Sequence, residues 1–138
     1  MDNTKTELNV QSNNLFEPED DNGNVEYKQH LVEPTAERFD RLVSQMKFRL
    51  GEGGGEALYE LGVFDNGEPL GLNDDELEKS MDTMKRLAKA NDAEANVVYV
   101  KKGILPGHSI VEVMIRNNPV ENEAIEVSVC VLGNVDAG

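Results

Sequence analysis

The chain has 138 residues, 38% hydrophobic but only 5% aromatic with no Trp, and a net charge of −14. That length suits one domain whose core rests on Leu, Val, Ile and Met, and the charge leaves no Lys/Arg stripe to displace counterions from a nucleic-acid backbone. No apolar run reaches the ~18 residues of a membrane span, and the single Cys130 excludes an internal disulfide, which reads as a reducing, intracellular compartment.

In chain order, Met1–Asn24 is rich in Asn, Asp, Glu and Ser with scattered apolar residues, and seven acids face one base over Met1–Glu26. Such a composition buries too little surface to offset the entropy of ordering, so the reading is a disordered acidic tail over residues 1–24. Its polar start has no apolar region of the kind that opens a secretory signal.

Residues 25–116 carry the periodic pattern of a folded module. Val25–Val32, before Pro34, predicts a strand; Thr35 is placed to cap a helix. Phe39, Leu42, Val43, Met46 and Leu50 lie on one helical face, with Gly51 at the expected C-terminal stop. Ala57–Phe64 predicts a second strand, Asp65-Asn66-Gly67 a turn, and Leu70-Gly71-Leu72 a short return strand. Asn73 with Glu76 has the spacing of a capping box. Leu77, Met81, Met84, Leu87 and Ala88 continue a second helix, and Val97–Val100 and Ser109–Arg116 predict strands. The order β-α-β-β-α-β-β implies an α+β fold, two helices packed on a mainly antiparallel sheet.

Residues 117–123 read as a linker. Ala124–Leu132 then alternates, with Ile125, Val127, Val129 and Val131 on one face, and runs into Gly133-Asn134-Val135-Asp136-Ala137-Gly138. These six fit the opening of the phosphate loop G-x-x-x-x-G-K-[ST]. Glycines let the backbone wrap closely so that successive N–H groups point at phosphate oxygens. By pattern alone a strand running into a plain turn is the other reading. The remaining motifs are weaker. Gly51-Glu52-Gly53-Gly54-Gly55 follows a helix and lacks the sixth glycine of a dinucleotide fingerprint. Met46, Met81 and Met84 have core spacing. His30 and His108 have no ligand-spaced neighbours, so no metal site is expected.

Gly-Asn-Val-Asp-Ala-Gly resembles the first nucleotide motif of elongation-factor-type GTPases. The stretches Glu26-Tyr27-Lys28, Leu42–Leu50, Gly55–Val63 and Asp65-Asn66-Gly67 with Gly71-Leu72 are similar to the eukaryotic family that contains GTP-binding proteins 1 and 2. The resemblance is dense over Val25–Ala88 and Ile125–Gly138; Phe48 departs from an expected Trp and Phe64 from an acidic residue. It implies that residues 124–138 begin an α/β GTP-binding domain, with Gly133, Asn134, Val135, Asp136, Ala137 and Gly138 along the phosphates and Asp136 helping to fix the loop. It further implies a cytoplasmic GTPase using GTP with Mg²⁺ and linked to translation and mRNA turnover, the fragment alone being inactive. The alternative is a non-enzymatic module that docks a protein partner independently of nucleotide.

Overall fold

The computed structural model describes residues 15–119. Thr35 opens the first helix by accepting the Arg38 N–H on its hydroxyl at 3.2 Å, and the apolar stripe then turns inward as α1, Ala36–Glu52. The helix runs past Gly51 and stops at Gly53; Gly54 and Gly55 follow at φ +64° and +105°, a left-handed backbone that side chains resist. The predicted Gly51 stop is thus corrected by two residues.

Asn73 and Glu76 exchange both capping-box bonds, at 2.8 and 3.0 Å, and begin α2, Asp74–Ala90. At the far end of α2, Asn91 donates from its side chain to the Val43 carbonyl of α1 at 3.2 Å, which pins the two helices together.

The strands are β1 (Val25–Lys28), β2 (Glu56–Leu61), β3 (Ala93–Lys102) and β4 (Ser109–Asn117). They form one mixed sheet in the order β1-β2-β4-β3. The β2–β4 and β4–β3 pairs are antiparallel, as the sequence leads one to expect, but β1 runs parallel to β2. The connection that carries α1 between them is long enough for the crossover that a parallel pair requires. The return strand at Leu70–Leu72 does not form. Gly62 and Gly71 back directly onto each other, with the Gly71 N–H on the Gly62 carbonyl at 3.0 Å. A β-carbon on Gly71 would meet the His108 side chain at 2.8 Å. Only Leu72 makes a bridge, to Ser109. The Asp65-Asn66-Gly67 turn is present, closed by the Gly67 N–H on the Phe64 carbonyl at 2.8 Å.

Both helices lie on one face of the sheet. Ala57, Tyr59 and Leu61 of β2 and Val111, Val113 and Ile115 of β4 are buried there with Leu42, Met46 and Leu50 of α1 and Met84, Leu87 and Ala88 of α2. Each of the larger side chains contributes roughly 1.5–3 kcal/mol by leaving water. A smaller cluster of Tyr27, Val63 and Ile110, with Phe16 and Val25 against it, sits apart from this core.

The sequence assigns all of residues 1–24 to a disordered tail; the structure departs from that reading at residues 15–24. Phe16 meets Tyr27 edge to face at 5.9 Å, and the Tyr27 hydroxyl donates to the Glu17 carbonyl at 2.6 Å. The main anchor is Arg49, buried at 3% exposure near the end of α1. Its Nε donates to Glu26 Oε1 at 2.8 Å, and its two amino groups donate to the carbonyls of Asp20, Asn22 and Gly23 at 2.8–3.1 Å. An acidic composition says nothing about such a site, because the contacts to residues 20–23 go to backbone oxygens. Residues 1–14, the rest of that tail, and the strand Ala124–Leu132 lie outside the described residues.

Replacing Arg49→Met leaves Glu26 buried without its closest cation. Urea melts should show a loss of roughly 3–5 kcal/mol, the cost of removing one partner of a buried pair, and hydrogen exchange should accelerate over residues 19–24. A double Arg49→Met, Glu26→Leu variant should recover part of the stability, because no uncompensated charge remains inside. Unchanged exchange in the single variant would mean that Arg49 does not hold the segment.

Candidate functional site

The residues read from the sequence as the nucleotide site, Gly133, Asn134, Val135, Asp136, Ala137 and Gly138, lie outside the described residues. The described residues bring together two other polar clusters, one on each face of the sheet.

On the helix face, β1 places Glu26 and Lys28 toward α1, in register with Tyr59 and Leu61. Glu26 is bracketed by Arg49 at 2.8 Å and by Lys28 at 3.2 Å. Glu19 lies 3.8 Å from the same guanidinium and accepts the Tyr27 N–H at 2.6 Å. Burial pushes the Glu19 carboxyl above its usual range, the Tyr27 bond opposes that, and the neighbouring Glu26 reinforces it. Four of its five N–H donors go to protein oxygens and the side chain is buried, so Arg49 is not presented to a ligand. Beside this clamp, Lys28, Arg38 and Arg41 line one small depression with Leu42 and Gln45. Neither Arg38 nor Arg41 forms an ion pair among the described residues. This is a basic spot on an acidic chain, able to attract an anionic group but offering no nucleophile or acid–base pair.

On the opposite face, the β2–β4 register sets Glu60 directly across from Glu112, and β3 sets Tyr99 beside Glu112. Glu60 is only 4% exposed and accepts the Tyr99 hydroxyl at 3.3 Å. Burial pushes its carboxyl up to about 8, and the hydrogen bond and like charge of Glu112 add to the rise. The Tyr99 bond and Lys101 oppose it. Burial also raises the Tyr99 hydroxyl, followed by repulsion from the two carboxylates. Two carboxylates directly opposed in a ladder cannot both ionise cheaply, so at neutral pH the pair holds a proton. Among the described residues no group of three His, Cys, Asp or Glu is placed to hold a metal ion, and no helix is long and apolar enough to cross a membrane.

Neither cluster carries a sequence motif, yet each leaves a trace in the sequence. Arg49 follows Met46 by three residues and Leu42 by seven, so it falls inside the apolar stripe of α1. A charge in that position signals a buried partner. Glu60 sits within an otherwise apolar run, Ala57–Phe64, but its partner Glu112 is 52 positions away and only the strand register unites them.

The Glu60 shift fixes the sign of a pH effect. A carboxyl raised on folding binds its proton more tightly in the native state, so its contribution is intact below about 4.5 and is lost as pH rises toward about 8. Between pH 5 and 8.5 the protein should lose on the order of 4 kcal/mol from this group. Glu60→Gln, which keeps the shape and removes the titration, should flatten that loss in thermal melts across the range. Identical pH slopes for both proteins would overturn the assignment.

No family model matches the chain, and no solved structure matches it. Among characterised proteins, it is 42% identical over 125 residues to GTP-binding protein 2 of Homo sapiens, a match covering 88% of this chain and 21% of that protein. The Mus musculus GTP-binding protein 2 matches to the same extent. GTP-binding protein 1 of Xenopus laevis is 34% identical over 108 residues, covering 78% of this chain and 16% of that protein. The chain therefore spans about a fifth of the length of the curated relatives it matches. The chain is homologous to the N-terminal part of GTP-binding proteins 1 and 2.

Proposed function

We propose that this chain is the N-terminal portion of a GTP-binding, GTP-hydrolysing protein of the elongation-factor type, in which the α+β module precedes the nucleotide-binding domain. The observation that carries this reading is the 42% identity to GTP-binding protein 2 across 88% of the chain. The Gly133–Gly138 motif after a β-branched run supports it. In this reading the loop's backbone N–H groups hold the phosphates of GTP and Asp136 helps to fix the loop. The Lys and Ser/Thr that complete the motif would serve phosphate and Mg²⁺. An Mg²⁺ held there would supply charge neutralisation. The reading assigns the described module no part in that chemistry, its Arg49 being buried against Glu26 and backbone carbonyls. By resemblance such a protein acts in the cytoplasm with the translation or RNA-decay machinery.

A second reading, a partner-docking module that works independently of nucleotide, is favoured by the Lys28, Arg38 and Arg41 depression. The two are separated by one comparison. Mg·GTP should leave the melting curve of the 138-residue chain unchanged. A longer polypeptide that continues through a whole nucleotide-binding domain should gain roughly 4 kcal/mol at a thousandfold excess over Kd. No gain in the longer polypeptide would leave the docking reading standing; a shift in the short chain would overturn the proposed division of labour.

A further inference from the structure

Apolar exposure is unevenly distributed. Of the seven large hydrophobic residues that stay exposed among the described residues, five lie between Val97 and Leu105: Val97, Val98, Val100, Ile104 and Leu105. The first three are in β3, which is ten residues long and closes one side of the sheet order. Among the described residues its outer backbone groups have no partner strand, the situation in which a sheet edge recruits another strand.

The sequence of β3 has an internal symmetry. An acid, Glu94, stands near its start and Lys101 near its end, with Val97 and Val98 at the centre. Neither Glu94 nor Lys101 forms an ion pair among the described residues. The pairing with β4 shifts register between Val97 and Tyr99, so Val98 is an inserted residue, a bulge. The bulge decides which side chains share a face. Before it, Glu94 and Asn96 stand opposite Arg116 and Met114; after it, Tyr99 and Lys101 stand opposite Glu112 and Ile110. All four therefore share the face away from the helices, whereas Ala95, Val97 and Val100 stand opposite Ile115, Val113 and Val111 on the helix face.

We infer that β3 pairs antiparallel with β3 of a second copy of this chain, joining two sheets of four strands into one. A two-fold axis normal to the sheet keeps each face with its counterpart, as an isologous contact requires. Residues directly opposite in an antiparallel ladder must point to the same face. Without a bulge, a symmetric strand pair would set each central residue against its own copy and Glu94 against Val100 or Lys102, with Lys101 on the other face. With the bulge, one register matches throughout: Glu94 opposite Lys101 of the second copy, Ala95 opposite Val100, and Asn96 opposite Tyr99. That register makes the two ion pairs that each chain alone leaves open and covers the exposed valines. Bulges and lysines commonly blunt an edge against unspecific pairing; here they restrict the edge to a single partner and register.

The test is sedimentation equilibrium of the 138-residue chain over a wide concentration range, at 0.15 M salt, where the Debye length of about 8 Å confines the repulsion between two chains of net charge −14. Wild type should show a monomer–dimer equilibrium. Glu94→Lys and Lys101→Glu, each at an exposed position, should each weaken it by about tenfold or more, since two attractive pairs become repulsive. An equimolar mixture of the two variants should regain association at or above the wild-type level, because each variant then meets the opposite charge. Circular dichroism checks that both variants keep their fold. A wild-type chain that stays monomeric at the highest concentration overturns the inference. So does a dimer indifferent to both substitutions, which would place the contact elsewhere, whether or not the chain binds GTP.

Discussion

The whole N-terminal half of the module depends on one buried guanidinium. Arg49 leaves the end of α1, meets Glu26 in β1, and gathers the carbonyls of Asp20, Asn22 and Gly23. Taking both charges out of water costs several kcal/mol per ion, and their attraction offsets that only when the remaining donors are also satisfied. Arginine meets the condition because its planar fork offers donors in several directions at once; lysine, a point charge with three donors on a flexible stem, would leave some of those carbonyls without a partner. The short β1 strand, only four residues long, is a marginal edge by itself. Its position beside β2 is secured by this ion pair on one face and by Tyr27 packing with Phe16 on the other.

How much of this is legible in the sequence follows from how local each determinant is. The capping box of α2 and the Asp65-Asn66-Gly67 turn depend on residues within three or four positions of one another, and both stand as read. The helices are legible because their apolar stripes repeat at the helical period. β3 is longer than its valines suggest: Ala93-Glu94-Ala95-Asn96 has low strand preference, and these residues are extended because β4 pairs with them from Met114 to Asn117. The parallel β1–β2 pair was invisible for the same reason, since strand direction is set by the path of the chain through α1 and not by strand composition. The packed segment at residues 15–24 was hidden by its own acidity. The Gly133–Gly138 loop is a motif reading, carried by residue spacing and resemblance.

The two faces of the sheet divide the electrostatic work. The helix face buries an acid by giving it two cations, Arg49 and Lys28. The opposite face buries one, Glu60, beside Glu112 and Tyr99, where burial and the facing carboxyl favour a proton shared by the pair. Both solutions lie within a few ångströms of the central strands, and neither leaves an ionised carboxylate free inside. Glu26 and Glu60 are the acids buried among the described residues, and the small Lys28, Arg38 and Arg41 depression is a contrasting basic spot.

The way Arg49 holds residues 20–23 also governs which changes the segment can absorb. Every amino acid carries a carbonyl oxygen, so Arg49 does not read the side chains of Asp20 or Asn22 directly, although the Asp20 carboxylate accepts the Asn22 N–H at 3.0 Å and so shapes the turn. Gly23 is different, because its backbone sits at φ +87°, where a β-carbon is strained. Asn24 is constrained too, since its amide donates to the Glu56 carbonyl at 3.0 Å. Mutational drift in this stretch is thus channelled: Asp21 can be exchanged for other residues, while Asp20, which closes the turn, and the Gly-Asn pair that shapes the path into β1 are constrained.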